Sequence, residues 1–249
     1  MKYIANWKMS NSTNEFKEFF EKFIRLYKHD KAKEIVFCPS FIDIIEFISY
    51  LNKYNLNKIE VGTQNVSHFT NLNNTGEISA KMIRESGAKY CIVGHSERRI
   101  FFNENNKQIN IKINELIKND VTPILCVGET LKEKERECSQ KVVKQQLTDC
   151  LKNIKILNKI LIAYEPVWAI GSGKSASGED ISLINSEINS HMNKLGYNDD
   201  EFYILYGGSV NMSNLSNIIS VDMLDGFLIG GASLKPDIFW DLIKTNKEQ

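Results

Sequence analysis

Eight short apolar runs, each separated from the next by intervening helical stretches, predict an α/β chain folded as a (β/α)8 barrel, eight parallel strands closed into a ring and surrounded by helices. The runs recur roughly 25 to 40 residues apart, the span of one strand–helix unit. They are apolar at consecutive positions, as strands buried on both faces must be. No G-x-G-x-x-G follows the first of them, which argues against an open, doubly wound sheet built to hold a dinucleotide. One domain, residues 1–249, is expected.

The first run, Lys2 to Trp7, precedes a helix that carries Phe16, Phe19, Phe20, Phe23, Ile24 and Tyr27 on one face. Ser12 and Glu15 have the spacing of a capping box at its start. Glu34 to Cys38 comes next, with Ile44, Ile45, Ile48 and Leu51 repeating the helical pattern. Ile59 to Thr63 and Tyr90 to Val93 are the third and fourth strands. Ile109, Ile113, Leu116 and Ile117 then form another apolar face. Val121 to Val127 is the fifth strand, followed by Val143, Leu147, Leu151 and Ile154. Lys159 to Tyr164 is the sixth, followed by Ile181, Ile184, Ile188 and Leu195. Phe202 to Tyr206 and Gly226 to Ile229 complete the set. Gly87 and Gly196 stand where helices should stop.

Bulk composition excludes several classes. The 31 Lys and Arg balance 31 Asp and Glu, so there is no electrostatic case for binding nucleic acid or acidic membranes. An anionic ligand needs a local site. The five cysteines are scattered, with no C-x-x-C pair. Cys38, Cys91 and Cys126 sit inside strand-like runs, which predicts buried, reduced thiols and neither a zinc site nor a disulfide framework. The N-terminus lacks the apolar core of a signal peptide and no run has transmembrane length, so a cytoplasmic location is expected.

In such barrels function lies at the C-terminal strand ends. The most informative stretch is Ile160 to Gly178, where an apolar run meets Glu165, then Pro166, then a loop with Gly171 and Gly173. Pro166 biases Glu165 toward extended geometry, and the small residues beyond suit a hinge or an anion contact. Strand alternation points Asn6 and Lys8 into the barrel mouth and Trp7 toward the helices. Strand four ends in His95, Ser96 and Glu97, where a helix N-terminus disfavours imidazolium. Strand five ends in Glu129. Tyr206-Gly207-Gly208-Ser209 and Gly230-Gly231 end the last two strands, where phosphate is usually held in these barrels. Each residue also has a plainer reading: a surface lysine, a turn-capping histidine, a surface loop, tight glycine turns. His29, His68 and His191 are assigned nothing.

The motifs Asn6-Trp7-Lys8-Met9, Gly94 to Arg99, Ala163 to Ala176, Tyr206 to Val210 and Gly226 to Leu234 occur in order. On these the chain resembles the triosephosphate isomerase family over its full length, and so the TIM barrel. The resemblance implies interconversion of dihydroxyacetone phosphate and glyceraldehyde 3-phosphate, a small phosphorylated three-carbon sugar, with no metal or organic cofactor. It implies Glu165 as base, His95 as electrophile and proton shuttle, and Lys8 as stabiliser of the anion with Asn6 beside it. Gly171, Ser209, Gly230 and Gly231 would donate to the phosphate. Val167 to Ala176 would close as a lid, with Trp168 in the hinge, Tyr206 latching it near Ala176 and Pro166 among the supporting residues. Glu129 would hold the Trp168 indole in the open form, and Ser96 would contact Glu165 before closure; Glu97 belongs to the same supporting set. The neutral histidine at a helix N-terminus and the closing loop are known properties of this family.

Two places depart from the family pattern. Leu72, Asn73 and Asn74 replace the usual glycine, small residue and aromatic in the loop that normally enters a neighbouring subunit. Thr75 and Glu77 remain, so a homodimer is expected, with Thr75 reaching toward the partner's site. Asn189 and Met223 occupy the positions of a frequent Arg–Asp bridge, which predicts that this tie is absent. An epimerase or aldolase would want metal ligands or a mid-strand lysine. A non-catalytic phosphate-binding or scaffold protein on the same barrel would want a broken base, electrophile or lid.

Overall fold

The eight strands of the computed structural model close in sequence order, each parallel to both neighbours. The structure describes all residues except 29, 31, 32, 57, 72, 156–158, 171–174 and 246–249. The strands are β1 (Lys2–Asn6), β2 (Glu34–Cys38), β3 (Ile59–Thr63), β4 (Tyr90–Val93), β5 (Thr122–Val127), β6 (Ile160–Tyr164), β7 (Phe202–Tyr206) and β8 (Gly226–Ile229). Closure sets Lys2 opposite Glu34 on one side and Gly226 on the other. The helices are α1 (Thr13–Leu26), α2 (Ile44–Lys53), α3 (Ala80–Glu85), α4 (Ser96–Phe101), α5 (Asn106–Lys118), α6 (Leu131–Glu135), α7 (Ser139–Cys150), α8 (Gly178–Lys194), α9 (Leu215–Ile219) and α10 (Pro236–Lys244).

Period-two alternation divides the core into two layers. Ile4, Val36, Cys38, Ile92, Ile124, Cys126, Leu161, Ala163, Leu205 and Leu228 fill the barrel interior. The opposite face of each strand packs against the helices. Trp7, just past β1, points outward and lies edge-on to Phe19 at 4.9 Å and to Phe37 and Phe47 at 5.5 Å. Burying an aromatic of this size is worth about 1.5–3 kcal/mol, so the residue before Lys8 is a firm anchor. At the opposite end Glu34 pairs with Lys2 and accepts from the Tyr90 hydroxyl at 2.5 Å.

The Ser12 backbone N–H donates to Glu15 at 2.7 Å, closing the start of α1. Ile45 departs from the pattern read in the sequence. It is 72% exposed while Ile44 and Leu51 are buried, because adjacent helical residues point about 100° apart. Asn185, one turn before Asn189, donates to the Asp222 carbonyl at 3.4 Å, a weak link to the segment before β8, where Met223 sits exposed. All five cysteines are free, and Cys38, Cys91, Cys126 and Cys150 are buried. Among the described residues no helix is long and apolar enough to cross a membrane.

Candidate active site

Glu165 is the first residue past β6 and is 2% exposed. Its N–H continues the ladder by donating to the Val127 carbonyl at 2.7 Å. Glycines on both neighbouring strands make room for it. A Cβ at Gly128 would fall 1.8 Å from the Glu165 carbonyl oxygen, and one at Gly207 would fall 2.9 Å from its Cγ. The carboxylate accepts from the Ser96 backbone N–H at 3.0 Å through Oε2, and Oε1 lies 3.2 Å from His95 Nε2.

His95 caps the N-terminus of α4. Its Nδ1 accepts the Glu97 backbone N–H at 3.2 Å. A nitrogen that accepts carries no proton, so the imidazole is neutral, with its hydrogen on Nε2, the nitrogen that lies 3.2 Å from Glu165 Oε1. Glu97 Oε2 is farther from Nδ1, at 3.6 Å, and does not displace that bond.

Lys8 adopts a left-handed backbone, φ 51°, which is costly for a residue with a Cβ and persists only where neighbours hold it. Its N–H donates to Asn6 Oδ1 at 3.1 Å. Its carbonyl accepts from the Gln64 side-chain amide at 2.7 Å, and the same nitrogen lies 3.0 Å from the Cys38 carbonyl. The Trp7 indole donates to the Ser233 carbonyl at 3.1 Å. The ammonium, about a third exposed, lies 2.5 Å from Glu97 Oε1. Gln64 went unread in the sequence. It is the polar residue that ends strand three, the same positional signal that marked the others.

Asn6, Lys8, His95 and Glu165 line one cavity of about 260 Å³ with Gly207 to Val210 and Gly230 to Ala232. Ser209 and the Gly230-Gly231 pair are part of its lining, and a Cβ at Gly230 would stand 3.7 Å from Lys8 Cε. The Ser233 hydroxyl donates to the Gly230 carbonyl at 2.7 Å and braces the single turn Gly231–Leu234. Backbone amides in such a glycine-lined bend suit a tetrahedral anion.

Both flanks of the 167–176 segment are tied down. Pro166 precedes a single turn, Val167–Ala169, whose Trp168 indole donates to Glu129 Oε1 at 2.7 Å. The Tyr164 hydroxyl donates to the same oxygen at 3.2 Å. Burial raises the Glu129 carboxyl above the usual range, and its second oxygen has no hydrogen-bond partner among the described residues. At the other flank the Ala176 N–H donates to the Tyr206 hydroxyl at 3.3 Å. Gly171 lies outside the described residues. Thr75 is exposed and does not line the cavity of its own chain.

A closed parallel barrel whose strand ends set a buried carboxylate against a neutral imidazole, with an ammonium and a glycine-lined cradle alongside, defines a (β/α)8 enzyme for small anionic substrates. The family model described as triosephosphate isomerase matches residues 2–246. The triosephosphate isomerase of Mesomycoplasma hyorhinis is 39% identical over 249 residues, covering 98% of each chain. That of Dictyoglomus thermophilum is 40% identical over 246 residues, 97% of each chain. That of Mycoplasmopsis pulmonis is 41% identical over 249 residues, 98% of this chain and 96% of its own. The chain belongs to the triosephosphate isomerase family. Its reaction is that of the family, the interconversion of dihydroxyacetone phosphate and D-glyceraldehyde 3-phosphate in glycolysis.

Proposed function

We propose that Glu165 is the base of this isomerisation, His95 its electrophile and Lys8, with Asn6, its electrostatic stabiliser. The observation that carries the reading is the 3.2 Å approach of His95 Nε2 to Glu165 Oε1 in the cavity that Lys8 also lines. Removing a proton beside a carbonyl leaves an enediolate, which needs fixed donors and positive charge in a site closed to water. The Nε2–H gives its proton to the carbonyl oxygen and Nε2 takes the proton of the neighbouring hydroxyl, so one proton passes between the substrate oxygens while Glu165 moves the other between the carbons. The carboxylate leaves the Ser96 N–H to take the carbon-bound proton and returns it to the adjacent carbon. Lys8 exchanges Glu97 for the substrate anion.

Ser209, Gly230, Gly231 and Gly171 hold the phosphate, and the 167–176 segment closes over it. Trp168 on Glu129 and Ala176 on Tyr206 are the two ends of that lid, with Pro166 fixing its exit. The whole of residues 1–249 acts as one domain, in the cytoplasm, as a homodimer whose Thr75 reaches the partner's site. Ile42, Ile45, Met82, Phe101 and Phe102 favour the dimer: these large apolar side chains lie exposed on the segments that follow β2, β3 and β4.

The test is a coupled isomerase assay with Glu165→Asp beside the wild type. Shortening the base by one methylene is expected to keep the fold and cost at least about 10²-fold in turnover. Near-normal turnover in that variant would remove Glu165 from the role, and absence of isomerisation in the wild type would leave only phosphate binding.

A further inference from the structure

Strand β5 outruns its neighbour on one side only. The β4–β5 register ends at Val93 opposite Leu125, whereas β6 stays beside β5 through Val127 and Tyr164. The pairing then continues, with the Glu165 N–H on the Val127 carbonyl at 2.7 Å and the Val167 N–H on the Glu129 carbonyl at 3.0 Å. By alternation the peptide groups of Gly128 face the other way, where β4 has already ended. Arg99 covers the Cys126 carbonyl on that side at 3.1 Å. Gly128 still needs an acceptor for its N–H and a donor for its carbonyl, since orphaned backbone groups of this kind are rare and costly.

One side chain meets both needs. Gln146, on α7, accepts the Gly128 N–H at 2.8 Å through Oε1 and donates its amide to the Gly128 carbonyl at 3.1 Å. It stands in for the missing strand. The span it fixes matters, because Gly128 packs on the Glu165 backbone with no room for a Cβ, which would fall 1.8 Å from the Glu165 carbonyl oxygen, and the next residue, Glu129, holds the Trp168 indole.

We infer that Gln146 is a positioning residue for the isomerisation, fixing through Gly128 both the Glu165 backbone and the Glu129–Trp168 contact. It touches neither the cavity nor the reacting atoms. The inference rests on Glu165 being the base, as proposed above.

Gln146→Met keeps the side-chain length and removes both hydrogen bonds. Turnover is expected to fall about ten- to a hundredfold with KM within about twofold, the signature of a misplaced base rather than lost binding. With 5-fluorotryptophan, the Trp168 resonance should shift while those of Trp7 and Trp240 hold. Gln146→Glu retains only the acceptor and should fall between wild type and the Met variant; it is read alone by the same criteria if the Met variant does not fold. In a Glu165→Gln background, Gln146→Met should leave the residual rate within about twofold, because no base remains to be displaced. A folded Gln146 variant with wild-type turnover and an unmoved Trp168 signal overturns the inference. High activity of Glu165→Gln by itself overturns the base assignment instead, and the fluorine spectrum then judges Gln146 independently.

Discussion

The Lys8 ammonium lies 2.5 Å from the Glu97 carboxylate, while the backbone N–H of the same glutamate donates to His95 Nδ1 at 3.2 Å. One residue therefore steadies two charge-handling groups, one through its side chain and one through its main chain. Glu97→Gln separates these jobs, since only the side-chain contact changes. The pair is about a third exposed or more on each side, so its stability contribution is at most about 1 kcal/mol, and Tm should move by less than about 4 °C. Turnover per KM should nonetheless fall at least about tenfold as Lys8 loses its orientation. Steady-state kinetics that match wild type would show that Glu97 does not orient Lys8.

The two glycines flanking Glu165 should respond differently to alanine. At Gly128 the new Cβ meets backbone that cannot yield, 1.8 Å from the Glu165 carbonyl, so Gly128→Ala should not give soluble folded protein. At Gly207 the nearest atom is the Glu165 Cγ at 2.9 Å, a side chain that can shift by a few tenths of an ångström. Gly207→Ala should fold and lose roughly tenfold in turnover. Equal solubility and equal activity of the two variants would contradict this account.

Glu129 ties its stability to pH. Its carboxyl is raised above the usual range, first by burial, against the pull of the Trp168, backbone and Tyr164 hydrogen bonds and of Lys134. The folded state therefore binds its proton more tightly than the unfolded chain does. Stability from this group falls as pH rises from the unfolded carboxylate range through the folded value. Relative to Glu129→Gln, which cannot ionise, wild type should gain Tm as the pH is lowered from 8 to about 4, down into the ordinary carboxylate range. A Tm difference that stays flat over that interval would rule the shift out.

Exposed apolar side chains on the segments after β2, β3 and β4 should be covered in solution. Sedimentation at micromolar concentration is expected to give a dimer despite Asn73 and Asn74 in the loop that carries Thr75. A fully active monomer would remove the partner's contribution.

The strands were legible because their residues are buried on both faces and read as unbroken apolar runs. β1 stops at Asn6, short of Trp7, because the chain turns through the left-handed Lys8, which no local pattern announces. Helices α4, α6 and α9 are too short to display a period. The polar residues at strand ends were visible once the barrel was inferred, whereas Gln146 was not. A glutamine on a half-buried helix carries no local sign that it completes a distant strand. Lys112 is similar: 1% exposed and paired with Glu104 and Asn65, it looks in sequence like any solvated helix lysine.

The thiols give the molecule an internal clock. Cys91 is pushed up to about 12 and Cys150 to about 11 by burial, and Cys38 and Cys126 are raised as well. Only Cys138 is partly open to solvent. Since thiolate is the reactive species, an alkylating reagent consumes that one sulfur first, Cys91 and Cys150 only when helices lift from the strands, and Cys38 and Cys126 only when the barrel itself opens. Counting modified sulfurs against time therefore reads out how often each layer of the native fold breathes.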